Sequence, residues 1–340
     1  MTDTQQGTHN DPSLLRGCKG RAGVFRALNL DGMLRVIPVP RALRAASPDA
    51  RITVIGLQWA PELVTHYRHY GDDFLLFPGH PQLPETHVGR ADYKNLRKAL
   101  LGEFDWLIPL HGDGRLTNAI VSEWPATRLA GSKRAGVCDS GSFFSYLSGP
   151  EINRLLGLIR SLGGNGLSDL EFPLHGADFT KLWAMPEFKC LRDAPYVVVH
   201  PGSPDAQRRL PPTPFEAAAK LLAPRTRVAL RGSAQEWDVN ARISEFCAGV
   251  VNAAGATSLG LLAASIAKAC WFVTNDTGPS HLAAAFHTPS LVVGTGSDLG
   301  RWARKEWWRH RIRDVRRGLS RERFLAAVSD LWEHAGRIAC

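Results

Sequence analysis

The segment 273–285, VTNDTGPSHLAAA, brings together residue types that bind phosphate. Apolar residues before it predict a strand, and a Pro preceded by Asp and Thr is typical of the first turn of a helix. The first N–H groups of a helix lack partners and its dipole is positive there, so this end binds anions well. The predicted diphosphate-binding residues are Asp276, Thr277, Gly278, Pro279 and His281. The alternative is that Asp276 and Thr277 only cap the helix and that His281 is a surface histidine.

A second polar loop, His-Pro-Gly-Ser, ends the apolar run before residue 200. Gly202 lets the backbone approach a phosphate, and Ser203 offers a hydroxyl. Arg208 and Arg209 follow, and guanidinium groups bind diphosphates through paired hydrogen bonds. The alternative is a polar loop with exposed arginines. Spacing alone leaves open which of the two arginines reaches a ligand.

Two further turns carry weaker signals. Glu236 opens a helix after Gly-Ser, where an acid is stabilising whether or not it binds a ligand. Thr257 stands at the start of the next predicted helix. Asp113, at another predicted strand end, is a second carboxylate, for which a loop residue is the favoured interpretation.

Taken together, these segments resemble glycosyltransferase family 9, the lipopolysaccharide heptosyltransferases. DTGPSHLAAA resembles the family's D-[ST]-G-x-x-H-x-A-A signature, and VVVHPGSPDAQRR and VALRGSAQE resemble two further strand–loop segments, in the same order. LDGMLRVIPVPRALRAASP resembles the family's opening helix, and the similarity extends over about residues 23–330. The resemblance implies that the signature and the basic pair grip the donor diphosphate. It also implies that Glu236 hydrogen-bonds the donor ribose and that Thr257 lies near the base.

The first helix departs from the family pattern. The family has Leu-Gly-Asp, whose Asp is the base that deprotonates the acceptor hydroxyl, whereas this chain has Leu-Asp-Gly. Gly32 therefore stands at the catalytic position and has no side chain to accept a proton. Asp31 is the candidate catalytic residue, and its alternative role is to cap the helix. Proton transfer needs contact near 3 Å, so this transposition bears directly on activity.

The order of elements predicts the fold. Strands and helices alternate in both halves, which predicts parallel, doubly wound sheets. With the family resemblance, this gives an α/β protein of the GT-B class: two facing Rossmann-like domains with a cleft between them. We predict one helix over residues 33–46, which Pro38 and Pro40 kink or delay. The predicted divisions are a disordered leader at 1–20, an N-terminal acceptor-binding domain at 21–165, a C-terminal nucleotide-sugar-binding domain at 180–319 and a closing helix at 320–340.

Composition limits the partners and the compartment. The formal net charge of +9 fits nucleic acid, an anionic membrane face or a phosphorylated lipid acceptor, but no nucleic-acid motif is present. No apolar run reaches the roughly 18 residues that a membrane span needs, and the polar first residues do not form a signal peptide. The six cysteines form no C-x-x-C pair, and Cys247 and Cys270 are expected to be core thiols in a reducing cytoplasm.

These features predict an inverting glycosyltransferase that moves a sugar, heptose from ADP-heptose by resemblance, to a lipopolysaccharide-type acceptor. No Asp-x-Asp motif is present, so no metal is expected, and no cofactor is expected beyond the nucleotide-sugar substrate. The expected partners are that donor and a lipid-linked saccharide, and the expected location is the cytoplasm with peripheral contact to the inner membrane. Two alternatives remain: a GT-B transferase or epimerase for another nucleotide sugar, and a homologue that binds sugar nucleotides without turnover.

Overall fold

The chain forms two compact units, Met1–Asp169 and Leu170–Cys340. The computed structural model describes residues 20–80, 82–83, 96, 98, 100, 104–133, 142–145, 149–203, 208–245, 247–255, 258–294, 309–315, 318 and 320–335. The predicted leader, apart from Gly20, lies outside these residues. So does nearly all of the segment 91–101, for which the sequence predicts a helix with Leu96, Leu100 and Leu101 on one face. Within them, no helix is long and apolar enough to cross a membrane.

Unit 1 is built on a six-stranded parallel sheet in the order β3-β2-β1-β4-β5-β6. Its strands are β1 (Arg21–Phe25), β2 (Arg51–Gly56), β3 (Asp73–Leu76), β4 (Phe104–Pro109), β5 (Ala126–Lys133) and β6 (Ser142–Ser145). β1, β2 and β4 are nearly continuous apolar runs because helices cover both faces of the sheet. Their carboxyl ends meet at one edge, where an open α/β sheet binds ligands.

The helices of unit 1 are α1 (Leu30–Leu34), α2 (Pro38–Ala46), α3 (Ala60–His66), α4 (Thr117–Ser122) and α5 (Glu151–Ser161). The single helix predicted over residues 33–46 is thus two helices, and the first begins at Leu30. Pro38 is the first residue of α2, where its missing N–H costs no hydrogen bond. The proline therefore ends one helix and starts the next, and Asp31 lies inside the first turn of α1.

Unit 2 repeats this plan with a six-stranded parallel sheet in the order β12-β11-β10-β7-β8-β9. Its strands are β7 (Tyr196–His200), β8 (Arg227–Leu230), β9 (Val250–Asn252), β10 (Phe272–Asn275), β11 (Ser290–Gly294) and β12 (His310–Asp314). β7 and β10 lie at the centre and are buried along their whole length. The strand order changes direction here, which is where doubly wound sheets place their ligands.

The helices of unit 2 are α6 (Gly176–Ala184), α7 (Pro186–Lys189), α8 (Pro212–Leu222), α9 (Trp237–Glu245), α10 (Leu259–Ala267), α11 (Gly278–Ala285) and α12 (Arg321–Ala335). A 3-10 turn, Ala234–Glu236, leads into α9. The segment 163–179 is rich in glycine and has little periodicity, which indicates a connection between domains. It does contain the division between the units, but its end forms the start of α6. The sequence analysis missed α6, α7 and β12.

Cys270 differs from its prediction. It is disulfide-bonded and is not the free core thiol that its apolar surroundings indicated. Cys247 is a buried free thiol as expected, and burial raises its pKa. The apolar context of a cysteine reports its burial but not whether a second cysteine reaches it.

A buried ion pair fixes the edge of the unit 1 sheet. Arg26, which follows β1, is fully buried and lies 3.4 Å from Glu151 Oε1 at the start of α5. Arg26 also donates a hydrogen bond to the carbonyl of Leu110, which follows β4. Arg154 lies 3.8 Å from the Glu151 carboxylate. These contacts tie β1, β4 and α5 together, and the Glu151 carboxylate is paired with both Arg26 and Arg154.

We predict that Glu151→Gln destabilises the protein by about 3 kcal/mol or more, because it removes the charge of a buried carboxylate that is paired with the fully buried Arg26. The exposed pair Arg51–Asp73 in the same unit provides the control, and Asp73→Asn costs less than about 1 kcal/mol. Urea unfolding of both variants measures the difference. Equal losses of unfolding free energy in the two variants would show that the buried ion pair stabilises the protein no more than the surface pair does.

Candidate functional site

The signature segment folds as a strand, a two-residue turn and a helix. β10 ends at Asn275, and α11 begins at Gly278, one residue earlier than predicted. Thr277 occupies the N-cap position, but its side chain accepts no hydrogen bond from the helix. Its hydroxyl instead lies 3.4 Å from the Asn275 carbonyl. The first turn of α11 is therefore not closed by a side-chain cap, which leaves the helix N-terminus suited to an anion.

The candidate binding residues of this segment are buried. Asp276 is 3 % exposed and His281 is 4 % exposed, so His281 is not the surface histidine of the alternative interpretation. Gly278 and Pro279 are buried in the first turn of α11. A polar segment this deeply enclosed contrasts with ordinary strand–helix turns, which lie in solvent.

Asn275 connects the signature to the His-Pro-Gly-Ser loop. Its Nδ2 donates to the carbonyl oxygens of Pro201 at 2.8 Å and Gly202 at 3.1 Å, and its Oδ1 accepts from the Leu210 N–H at 3.2 Å. One buried amide thus holds both ends of the loop that carries the basic pair. The sequence analysis treated Asn275 only as a turn residue, because nothing in the sequence shows which backbone groups an amide will meet.

The two arginines have different contacts. Arg208 Nη2 donates to the Asp276 carbonyl at 2.5 Å and lies 3.5 Å from the Asp276 carboxylate. Arg209 donates to the Ser203 carbonyl through Nε at 3.1 Å and Nη2 at 2.6 Å. Arg208 is therefore the arginine that reaches the turn before α11, whereas Arg209 braces the loop of Ser203. The Ser203 hydroxyl is buried and has no hydrogen-bond partner among the described residues.

Glu236 uses its two carboxylate oxygens differently. Oε2 accepts from the Ser233 N–H at 2.7 Å and from the Ser233 hydroxyl at 3.0 Å, and it lies 3.9 Å from His200 Nε2. Oε1 lies over Gly202, where a Cβ would come within 1.7 Å of it. The fold therefore engages one oxygen and leaves the other facing the Gly202 backbone. Gly202 is required because any side chain would displace the carboxylate.

His200 and Arg231 are buried side chains, and burial lowers the pKa of each. Burial is the main reason that the pKa of His200 is lowered, which keeps the ring neutral, and Glu236 opposes this shift. The Thr274 hydroxyl donates to the Asn275 carbonyl at 2.9 Å, so His200 Nδ1 donates to Thr274 Oγ1 at 3.2 Å. Arg231 is fully buried over the Phe188 ring, and burial lowers its pKa to about 10. Arg231 is therefore still a cation at neutral pH.

The structure brings most of the predicted unit 2 residues to one edge of the sheet, at the carboxyl ends of β7, β8 and β10. The residues found there are Gly202, Ser203, Arg208, Arg209, Glu236, Asp276, Thr277, Gly278, Pro279 and His281. Thr257 lies outside the described residues. Asn275 and His200 join the site, although neither was predicted to belong to it.

Asp31 lies in unit 1 and is one-fifth exposed. Its Oδ1 accepts from the Gly32 N–H at 2.8 Å, and its Oδ2 lies 3.6 Å from the buried Arg35 guanidinium. The N-cap of α1 is Asn29, so the capping alternative for Asp31 does not hold. A Cβ on Gly32 would lie 2.7 Å from Leu28 Cβ and Cδ1. A carboxylate at the family's position would thus force Leu28 to move.

His111 lies at the same edge of the unit 1 sheet, after β4. Its Nε2 accepts from the Ala27 N–H at 2.9 Å, so the proton of the neutral ring is on Nδ1. Burial, helped by the charge of Arg26, lowers the pKa of His111 to about 3. With Nε2 occupied, His111 cannot accept a proton from a substrate. Asp113, two residues on, is paired with the exposed Arg115 at 2.8 Å, as a loop residue would be.

Comparison with known families gives one match, within unit 2. Residues 170–322 match the model of glycosyltransferase family 9 (heptosyltransferase), the family that the sequence motifs resemble. The matched range contains every unit 2 residue of the candidate site. No curated protein matches the chain in sequence.

Solved structures extend the similarity to both units. A family 9 glycosyltransferase of Veillonella parvula superposes with a TM-score of 0.76 at 16% identity, covering 92% of this chain and 97% of that one. An E. coli heptosyltransferase with ADP gives a TM-score of 0.72 at 18% identity and covers 92% and 99%. E. coli ADP-heptose lipopolysaccharide heptosyltransferase II gives 0.66 at 18% identity and covers 93% and 99%. The predicted GT-B fold class is thereby confirmed.

We predict that His111 makes the protein less stable in acid. Its folded pKa of about 3 lies below the ordinary value of 6.5, so the unfolded chain binds a proton that the folded chain does not. The stability is therefore fully present above about pH 6.5 and is lost as pH falls towards 3. Urea unfolding at pH 7.5 and pH 5 should differ by up to about 2 kcal/mol more for the wild type than for His111→Gln. Parallel profiles for the two proteins would contradict this assignment.

Proposed function

We propose a donor, an acceptor and a catalytic base for this chain, which is a glycosyltransferase of family 9. The donor is a nucleoside diphosphate sugar, with ADP-heptose the first candidate. The acceptor is a hydroxyl of a lipopolysaccharide-type, lipid-linked saccharide. The enzyme works in the cytoplasm, with peripheral contact to the anionic inner face of the membrane.

The donor proposal rests on the start of α11, where no side chain caps the helix. Arg208 contacts the turn before this helix, with Nη2 at 2.5 Å from the Asp276 carbonyl. A diphosphate there would meet helix N–H groups and a guanidinium, and the Ser203 hydroxyl, which has no hydrogen-bond partner in the described part of the chain, follows Gly202. Glu236 Oε1, which accepts no hydrogen bond from the described residues, would bind a ribose hydroxyl. ADP as the nucleotide rests on the similar structures that hold ADP and ADP-2-deoxy-2-fluoro heptose.

The reaction proceeds with inversion at the anomeric carbon. The acceptor oxygen forms the new bond to that carbon as the bond to the diphosphate breaks, through an oxocarbenium-like transition state. Asp31 takes the proton of the acceptor hydroxyl. Arg208, the α11 N-terminus and the Thr277 hydroxyl stabilise the charge that the leaving diphosphate gains. The contact between Asp31 Oδ2 and the Arg35 guanidinium, at 3.6 Å, limits the rotation of the carboxylate.

A second candidate function is donor binding without turnover. The observation that favours it is the engagement of Asp31 by Arg35 and by the Gly32 N–H, together with the lack of space for a side chain at Gly32. Donor binding without transfer over a broad panel of saccharide acceptors would support this function. A preference for UDP over ADP would instead indicate a transferase for another nucleotide sugar.

We expect Arg208→Ala to weaken ADP binding by about tenfold or more, because charge-assisted bonds to a phosphate contribute about 1.5–3 kcal/mol. The same change should affect adenosine much less, since adenosine lacks the diphosphate. Calorimetric titration of both ligands measures this, with the exposed Arg192→Ala as the matched control. An unchanged ADP affinity in Arg208→Ala would remove Arg208 from the site.

We expect Asp31→Asn to lower turnover by about 100-fold or more at unchanged donor affinity, because a general base contributes 10²–10⁴-fold. The double variant Asp31→Gly/Gly32→Asp should not restore activity, because the new Cβ meets Leu28. Steady-state transfer assays and ADP titration on the same preparations separate turnover from binding. Higher activity in the double variant than in the wild type would reject Asp31 as the base.

A further inference from the structure

Trp237 is an exposed aromatic side chain in the unit that carries the candidate donor site. Among the described residues, the large exposed hydrophobic side chains are Leu76, Leu116, Leu167 and Trp237, and only Trp237 is aromatic. Its exposure is 47 %, although a tryptophan gains most from burial. An exposed tryptophan is a candidate contact surface, because tryptophan is enriched where proteins meet their partners.

Trp237 follows Glu236 directly and is the first residue of α9. Side chains of a helix lean towards its N-terminus, and the N-terminus of α9 lies at the carboxyl edge of the sheet. Trp237 therefore stands at the carboxyl edge of the sheet, the edge that also carries Glu236 and Gly202. In the chain it directly follows the carboxylate proposed to hold the ribose.

The backbone around Trp237 is fixed from the neighbouring strand. Asn252, at the end of β9, donates from Nδ2 to the Trp237 carbonyl at 3.3 Å. The Gly255 N–H donates to the Gly232 carbonyl at 2.9 Å, and Ala234 packs so closely that a Cβ on Gly255 would lie 3.1 Å from its Cα. The loops after β8 and β9 are therefore closed against each other. An exposed ring on a fixed backbone loses little entropy when a ligand covers it.

We propose that Trp237 is the stacking surface for the nucleobase of the donor, and that it favours a purine, whose two rings cover more of the indole than a pyrimidine does. This inference rests on the proposed function, which makes the donor a nucleoside diphosphate. Glu236 binds the ribose, α11 and Arg208 bind the diphosphate, and Trp237 covers the face of the base. Stacking recognises any base by its π-face, so it adds affinity and a size preference without hydrogen-bond readout.

The test compares a ligand that has a nucleobase with one that lacks the nucleobase. Calorimetric titration of the full chain uses ADP and ribose 5-diphosphate against the wild type, Trp237→Phe and Trp237→Ala. We expect Trp237→Ala to weaken ADP binding between about 5- and 100-fold and to leave ribose 5-diphosphate binding unchanged. Trp237→Phe should retain most of the ADP affinity, because the smaller ring still stacks. Leu116→Ala, which removes an exposed apolar side chain from unit 1, is the control for nonspecific effects.

Two results overturn the inference alone: an unchanged ADP affinity in Trp237→Ala, or an equal loss for ADP and ribose 5-diphosphate. A wild-type protein that binds neither ligand overturns the proposed function as well, so the two failures are distinguishable. Thermal unfolding of each variant checks the fold, and the exposure of Trp237 means that its removal leaves no buried cavity. A wild-type preference for UDP over ADP would overturn the purine preference.

Discussion

The candidate donor site depends on one buried side-chain amide. Asn275 ends the central strand β10 and bonds to the carbonyl oxygens of Pro201 and Gly202 and to the N–H of Leu210. Buried backbone groups cost free energy when they are unpaired, so these bonds fix Pro201, Gly202 and Leu210 relative to β10. Ser203 and Arg208, which stand within two residues of these anchored positions, are thereby placed relative to the start of α11.

At Glu236, one carboxylate oxygen stabilises the turn and the other faces Gly202. Glu236 can therefore stabilise the turn and bind a ligand at the same time, because a different oxygen atom serves each role. Unit 1 uses charge differently. Glu151 is paired with the buried Arg26, and Asp31 is paired with Arg35, so the carboxylate proposed as the base is held by a cation at the end of its own helix.

The order Leu-Asp-Gly changes the position of the carboxylate at the start of α1. Gly32 packs against Leu28, which leaves no room for a side chain, and Asp31 occupies the first turn of α1. The carboxylate has thus moved by one residue in a helix, which turns its direction by about 100°. Activity depends on whether an acceptor can approach Asp31 in this orientation, and that is why turnover and donor binding have to be measured separately.

The sequence by itself determined the alternation of strands and helices, the parallel sheets and the resemblance to family 9, because these follow from local apolar runs, turn residues and motifs. It placed the turn before α11 within one residue, since Pro279 and its neighbours act locally. Only the tertiary structure decided that Pro38 starts a new helix, that Cys270 is disulfide-bonded, and that Arg208 reaches the turn before α11 while Arg209 braces Ser203. The contacts of Asn275 and His200 at the candidate site were likewise visible only in the structure. They depend on partners about 65 to 75 residues away in the chain, and spacing along a sequence carries no information about which distant groups a fold brings within hydrogen-bond distance.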